Sequence, residues 1–175
     1  MAGKRKYIIS FSGLSFGKHE YEYNLTDKFF EALEYSEIKK GDVRVDVRLN
    51  KQSTILILDF IIRGEVTVPC DRCGDDCKVK IKGEYQLFVK HVGTTDLNEK
   101  PEEDMIALSA NDGELDIAHQ LYEYTILSLP AKRVHEKMTD CNQEVIKKLK
   151  EIELAEQNQS LDPRWDKLKD IKFNN

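Results

Sequence analysis

Three of the four cysteines of this 175-residue chain lie in one short segment, residues 66–82, which reads VTVPCDRCGDDCKVKIK. Cys70 and Cys73 form a CxxC pair, and Gly74 directly after them favours a tight turn. Two thiolates at this spacing can bind one tetrahedral metal ion, as in the knuckle of a zinc ribbon. The same spacing also suits a redox-active pair of thiols. The residue types therefore leave two kinds of chemistry open in this segment.

The fourth cysteine, Cys141, lies near His135 in the C-terminal part of the chain. With Cys70 and Cys73 these two residues would form a Cys3His set, a normal donor combination for structural zinc. Such a site would tie the C-terminal part to the CxxC segment. Cys77 is the alternative ligand, although a cysteine that opens a strand also suits burial as a small apolar side chain. Packed cysteines without a metal are the third interpretation.

The surroundings of the CxxC pair favour the metal interpretation over the redox one. No thioredoxin-like βαβ pattern surrounds the pair. Asp71, Asp75 and Asp76 are expected to raise the pKa of the thiols, because their charges repel a thiolate, whereas Arg72 acts in the opposite direction. A thiol–disulfide oxidoreductase that uses Cys70 is therefore the alternative function.

The CxxC segment lies within a series of strand patterns. Residues 42–50 and 79–89 alternate apolar and polar side chains, and residues 54–63 are nearly all apolar, which predicts a central strand covered on both faces. Gly64 predicts a turn after this strand and Gly83 a bulge. The short connections favour antiparallel pairing, because a parallel crossover needs about a dozen residues. We therefore predict an antiparallel sheet, with barrel-like closure as one option.

Helical patterns follow the sheet. Residues 116–129 have apolar side chains at helical spacing before Pro130, which predicts a helix packed on the sheet. Residues 143–155 are also amphipathic, and residues 161–173 predict a last short helix that contains Trp165, the only tryptophan. Trp165 is either a packing anchor or a contact for a partner protein.

The predicted fold class is α+β, with one domain over residues 1–130 and a helical C-terminal extension of the same domain over residues 131–175. The chain is 40% hydrophobic, which suffices for one buried core at this length. No apolar run reaches the roughly 18 residues of a membrane span, and the N-terminal residues lack a signal-peptide pattern. We expect a cytoplasmic protein with no membrane partner.

Composition and motifs also restrict the function. The formal net charge of -5 argues against nonspecific wrapping of nucleic acid, which depends on many lysines and arginines. Four cysteines, three of them clustered, make a poor disulfide framework. The chain has no nucleotide-binding glycine loop, GxSxG elbow or HExxH motif. We therefore expect neither an enzyme nor a small-molecule substrate.

Lys78, Lys80 and Lys82 alternate on one face of the strand predicted after the CxxC pair. Together with Arg72 they are the candidate contacts to RNA phosphates, which would position an RNA without reading its bases. Alternating lysines also protect an exposed strand edge from pairing with other chains. Both interpretations stay open.

Five features follow one another along the chain, namely VPCDRC, the acidic loop at residues 93–104, LDIAHQLYEYTILSLP, His135 and DPRWDKL. Their order resembles the DUF177 family, also called YceD-like or large ribosomal RNA subunit accumulation proteins. The N-terminal SGLSFGKHEYEYNL is similar to the opening of Bacteroidetes-type members. Cys70 and Cys73 match the family's CxxC, whereas His135 and Cys141 fall where many members have a second cysteine-rich cluster.

This resemblance implies a non-enzymatic factor of ribosome biogenesis that supports the accumulation, processing or stability of large-subunit (23S) ribosomal RNA. The implied partner is large-subunit rRNA or a ribosomal protein, and zinc is the candidate cofactor. A further alternative is a zinc-stapled adaptor that binds a ribosomal protein through Trp165 and the C-terminal helices.

Overall fold

The computed structural model describes residues 6–92, 105–109 and 112–157. The strands are β1 (Ile8–Ser10), β2 (Gly17–Leu25), β3 (Lys40–Lys51), β4 (Ile55–Pro69), β5 (Asp76–Val92), β6 (Met105–Ser109) and β7 (Glu114–Asp116). The helices are α1 (Asp27–Glu31), α2 (Ala118–Leu127) and α3 (Gln143–Gln157), with a 3-10 turn at Met138–Asp140 before α3. The predicted α+β class is confirmed.

Five strands form the main sheet in the order β2-β3-β4-β5-β6, and β1 and β7 form a separate antiparallel pair. Strands β2 to β5 are an antiparallel meander, as predicted. Strand β6 instead pairs in parallel with the end of β5. Residues 93–104 separate these two strands in sequence, which is about the dozen residues that a parallel connection needs.

The main sheet is open within the described part of the chain. Its edge strands β2 and β6 are not paired with each other, so the barrel-like option is not realised. One face is buried, and Val43, Val45, Leu58 and Ile62 there are 0% exposed. Along β4 the buried residues alternate with partly exposed ones, so the prediction that residues 54–63 are covered on both faces was wrong.

Two glycines that predict irregularities lie inside regular strands. Strand β4 continues through Gly64, which pairs with Val43 on β3 and with Ile81 on β5, so the predicted turn does not occur. A Cβ at Gly64 would meet the backbone of Asp42 and Val43. This glycine therefore permits a close approach of two backbones.

Strand β5 likewise continues through Gly83 without the predicted bulge. A Cβ at Gly83 would meet the hydroxyl of Ser128 and the ring of Tyr85. The missing side chain therefore leaves room for the end of α2 on the sheet.

Helix α2 packs on the buried face, as predicted. The Tyr124 ring stacks on Tyr85 with centroids 4.7 Å apart and meets Phe60 edge-on at 5.0 Å. The helix starts at Ala118 and not at residue 116, because Glu114–Asp116 pairs with β1 as strand β7. The Asp116 carboxylate accepts a hydrogen bond of 2.9 Å from the Ala118 amide at the helix start.

Helix α3 confirms the amphipathic pattern of residues 143–155. Ile146 at its start is 7% exposed and belongs to the core, whereas Leu149 and Ile152 are 41% and 55% exposed. The predicted helix at residues 161–173, Trp165 and the acidic segment at residues 93–104 lie outside the described residues. None of the described helices has the length and apolar character needed to cross a membrane. The domain division at residue 130 stays a prediction.

Candidate metal centre

The tip of the β4–β5 hairpin presents the CxxC pair. The Cys70 amide donates to the Asp75 carbonyl at 2.8 Å, and the Gly74 amide donates to the Cys70 carbonyl at 2.8 Å. Gly74 has a φ of 80°, a left-handed conformation that glycine adopts without the steric cost of a Cβ. Both thiols are buried, with Cys70 3% and Cys73 7% exposed. The hairpin thus forms a closed knuckle around two sulfur atoms.

The segment between α2 and α3 supplies the other two candidate ligands. It is joined to the knuckle by backbone, because the Asp71 amide donates to the Arg133 carbonyl at 2.7 Å. The 3-10 turn then ends at Cys141, whose amide donates to the Met138 carbonyl at 3.3 Å. Cys141 is 4% exposed. His135 and Cys141 are in this way brought over the knuckle.

The four candidate ligand atoms, from Cys70, Cys73, His135 and Cys141, all lie within 4.8 Å of one another. His135 Nδ1 is 3.7 Å from Cys73 Sγ and 3.6 Å from Cys141 Sγ. In a tetrahedral zinc site with Zn–S bonds of about 2.3 Å and Zn–N bonds of about 2.0 Å, sulfur and nitrogen lie about 3.5 Å apart. The donor types and spacings therefore fit a closed, structural Cys3His zinc site.

The knuckle also favours the thiolate form of Cys70. Burial raises the pKa of this thiol, but hydrogen bonds from the backbone amides of Arg72, His135 and Cys73, and from the His135 ring, lower it to about 6. The Arg72 amide lies 3.4 Å from Cys70 Sγ. The expected rise in thiol pKa is therefore not found at Cys70, where the hydrogen bonds outweigh burial and the net shift is downward. A thiolate is the form that binds a metal ion.

Cys77 does not join the four-atom cluster. It is 2% exposed and pairs with Val68 in the hairpin. Burial raises the pKa of the Cys77 thiol, and the charges of Cys70 and Asp71 raise it further. These properties agree with a small, inward-facing apolar side chain.

Arg72 has a role that sequence reasoning missed. Its guanidinium donates to Cys141 Sγ at 3.8 Å, so it spans the two halves of the cluster. Burial raises the pKa of the Cys141 thiol, and this hydrogen bond acts in the opposite direction. The predicted phosphate contact of Arg72 would have to compete with this interaction. No sequence signal pairs Arg72 with a cysteine 69 positions away.

The three predicted lysines lie on the outer face of β5 and are exposed. Lys78 lies 3.3 Å from a Glu65 carboxylate oxygen. Strand β6 pairs only with residues 88–92, so among the described strands the first part of β5 pairs with β4 alone. This location suits both the protection of a strand edge and a contact to phosphates.

The fold and the cluster together define an α+β protein with a candidate structural metal centre that joins a hairpin tip to a C-terminal segment. The family model of the large ribosomal RNA subunit accumulation protein YceD matches residues 58–172, and this chain belongs to that family. The matched span includes all four candidate ligands. The comparisons with curated proteins and with solved structures found no match. The resemblance seen in the motif order is confirmed for the family, and the similarity to Bacteroidetes-type members stays a prediction.

Proposed function

We propose that this chain is a non-enzymatic, cytoplasmic factor of ribosome biogenesis that supports the accumulation, processing or stability of 23S rRNA. It would do so by binding large-subunit rRNA or a ribosomal protein. The observation that carries the proposal is the family match over residues 58–172.

Zinc has a structural part in this proposal. Cys70, Cys73, His135 and Cys141 would hold the ion, which supplies four bonds between segments distant in sequence. The chain prepares this binding, since hydrogen bonds already lower the pKa of Cys70 and the backbone already joins Asp71 to Arg133. The result would be a fixed position of α3 relative to the hairpin.

Sedimentation tests the proposal. Extracts that contain the tagged full-length chain are separated on sucrose gradients at low salt, and the chain is expected to sediment with precursors of the large subunit. In cells that lack the chain, the ratio of large-subunit to small-subunit rRNA is expected to fall. A chain that stays at the top of the gradient, together with an unchanged rRNA ratio, would contradict the proposal.

A matched pair of variants tests the contribution of the cluster. Cys73→Ala removes a candidate ligand, whereas Cys77→Ala removes a buried thiol of the same hairpin that lies outside the cluster. The first variant is expected to fail to restore the rRNA ratio, and the second is expected to restore it. If both variants restore the rRNA ratio equally, the function does not depend on the four-residue cluster.

One observation favours the alternative of a thiol–disulfide oxidoreductase, namely the pKa of Cys70 of about 6. Against it, Cys70 and Cys73 are only 3% and 7% exposed, and reactive thiols need access to their substrate. An assay of insulin disulfide reduction in the presence of a reductant distinguishes the oxidoreductase from the non-enzymatic ribosome-biogenesis factor. Turnover that disappears in Cys70→Ser would establish the oxidoreductase, and we expect no turnover above the uncatalysed rate.

The alternative of a zinc-stapled adaptor is supported by the exposed Leu149 and Ile152 on α3. A ribosomal protein would then contact this helix and Trp165. A Leu149→Glu/Ile152→Glu variant that still folds but loses co-sedimentation would identify this mode. Unchanged co-sedimentation would assign the contact to another surface.

A further inference from the structure

Three cations lie directly opposite one another on the outer face of the main sheet. Arg44 on β3 pairs in register with Arg63 on β4, and Arg63 pairs with Lys82 on β5. All three side chains are exposed. Because neighbouring strands lie about 4.8 Å apart, the three backbone positions span about 10 Å across the sheet. We call these three residues the cationic row.

Elsewhere on this face, charged neighbours on adjacent described strands either join opposite charges or place two acids opposite each other, as Glu22 with Asp46 and Asp42 with Glu65, whereas the row consists of cations alone. Arg48 lies 3.6 Å from Glu20 on β2, and Lys78 lies 3.3 Å from Glu65 on β4. Like charges that face each other directly destabilise a sheet. The row therefore has an electrostatic cost, which the acids on either side of it, such as Glu65 and Asp46, offset in part.

The charges of the row are only partly neutralised. Arg44 lies 2.8 Å from Glu22 and 3.2 Å from Asp46. Neither Arg63 nor Lys82 has a carboxylate of the described residues within 4.0 Å. Lys80, the next outward-facing residue on β5, is likewise exposed and without such a partner. Arg63 and Lys82 thus present positive charge without an ion-pair partner among the described residues, whereas Lys80 faces Glu65 in register without an ion pair.

We propose that the cationic row and Lys80 bind consecutive phosphates of an RNA strand that crosses β3, β4 and β5. The inference rests on the proposed function, since it names the contact through which the factor would hold rRNA. The Arg63 guanidinium supplies a planar, bidentate donor for phosphate oxygens, and the two lysines supply point charges beside it. Such contacts position an RNA without reading its sequence.

Acidic residues of the same face restrict the RNA to a narrow path. Asp42 precedes Arg44 on β3 by two positions, and Glu84 follows Lys82 on β5 by two positions, so both border the row. They repel phosphates on either side of it. The path therefore runs across the strands, with Lys80 beside its end on β5, and does not continue along β5 to Lys78, which is already paired with Glu65.

Fluorescence anisotropy with a short, labelled single-stranded RNA of mixed sequence tests the inference. Binding to the full-length protein is measured over a series of salt concentrations. The double variant Arg63→Gln/Lys82→Gln removes two phosphate contacts, so the slope of log K against log salt is expected to become shallower by about 1.4. The matched variant Lys147→Gln/Lys150→Gln removes two exposed charges from α3 and is expected to leave the slope unchanged.

An equal change of slope in both double variants, or no change in either, would contradict the cationic row as the site. Competition with polyglutamate is a further test. If polyglutamate and unlabelled RNA displace the labelled RNA equally well, the row is a contact for acidic protein, and the proposed RNA site is contradicted. Circular dichroism confirms that each variant is folded.

The outcome is separable from that of the proposed function. A wild-type chain that binds no RNA but still sediments with large-subunit precursors would overturn the cationic row alone. A chain that fails to sediment with precursors and leaves the rRNA ratio unchanged would overturn the proposed function, whatever its affinity for the RNA probe.

Discussion

Asp71 and Arg133 are joined by two reciprocal hydrogen bonds and an ion pair. The Asp71 amide donates to the Arg133 carbonyl at 2.7 Å, and the Arg133 amide donates to the Asp71 carboxylate at 2.7 Å. The Arg133 guanidinium lies 3.4 Å from the same carboxylate. Asp71 directly follows Cys70, and Arg133 lies two positions before His135. The two halves of the candidate metal centre are therefore held together by contacts that need no metal.

Removal of the Asp71 carboxylate is expected to loosen this connection. In metal-free protein, Asp71→Ala should lower the free energy of unfolding by about 1 kcal/mol, since the ion pair is partly exposed and adds little to the lost hydrogen bond. Urea unfolding in the presence of a chelator measures the change. Asp75→Ala is the matched control, because only the backbone of Asp75 bonds within the knuckle. Equal destabilisation by both changes would mean that the pair does not hold the halves together.

The metal content should follow the four-atom cluster. Protein purified without chelator is expected to contain zinc in near-stoichiometric amount, with all four thiols reduced. His135→Ala and Cys141→Ser should lose this zinc, because each removes one of four ligands. Cys77→Ala should keep it. Elemental analysis with a thiol titration in denaturant measures both quantities, and zinc that disappears only in Cys77→Ala would place the ion elsewhere.

The stability of the metal-free protein should depend on pH through Cys70. Burial raises the pKa of this thiol from its ordinary value of 9.0, but the hydrogen bonds of the knuckle prevail and bring it to about 6. Between these two values the unfolded chain holds a proton that the folded chain has released, so stability rises with pH. The contribution is complete above the unfolded pKa and is lost as pH falls through the folded pKa.

The difference between wild type and Cys70→Ser isolates this effect from the other thiols. Burial raises the pKa of both Cys77 and Cys141, and the charge of Cys70 raises both further, so the comparison is made below their ordinary value of 9.0, where these two thiols stay protonated with or without Cys70. Urea midpoints measured with chelator and reductant should converge for the two proteins below pH 6 and diverge towards pH 9. A difference that does not vary with pH would contradict the lowered pKa of Cys70.

Gly83→Ala should destabilise the packing of α2 on the sheet. The new Cβ would meet the Ser128 hydroxyl and the Tyr85 ring, and overpacking of this kind costs about 1–3 kcal/mol. Thermal unfolding measures the cost. Gly13→Ala is the control, because a Cβ there meets nothing within 4 Å. Addition of Ser128→Ala should restore part of the stability, and no recovery would show that the hydroxyl is not the obstacle.

The sheet was predictable where one face of a strand is buried. Alternation in residues 42–50 and 79–89 reflects a local rule, so β3 and β5 follow from the sequence. The predictions of a turn at Gly64 and a bulge at Gly83 were wrong, because a glycine in a strand indicates either a break in the strand or a close neighbour. Which of the two applies depends on Asp42 and Ser128, which are remote in sequence.

The candidate ligands were predictable for a different reason. Few residue types bind zinc, so the positions of cysteine and histidine in the sequence already restrict the choice of donors. The contacts that support them carry no such signature, since arginines and aspartates are common at surfaces. The parts played by Arg72 and Arg133 therefore emerge only from the tertiary structure.

Cys73 and His135 are 62 positions apart in the chain, although their donor atoms lie 3.7 Å apart. During synthesis the N-terminal part of a chain emerges first, so the hairpin knuckle with Cys70 and Cys73 is made before the other two donors of the metal centre. Only the later arrival of His135 and Cys141 completes the set. A chain that stops before Cys141 therefore lacks at least one of the four donors, and a metal ion could not tie its C-terminal segment to the hairpin with the full set of ligands.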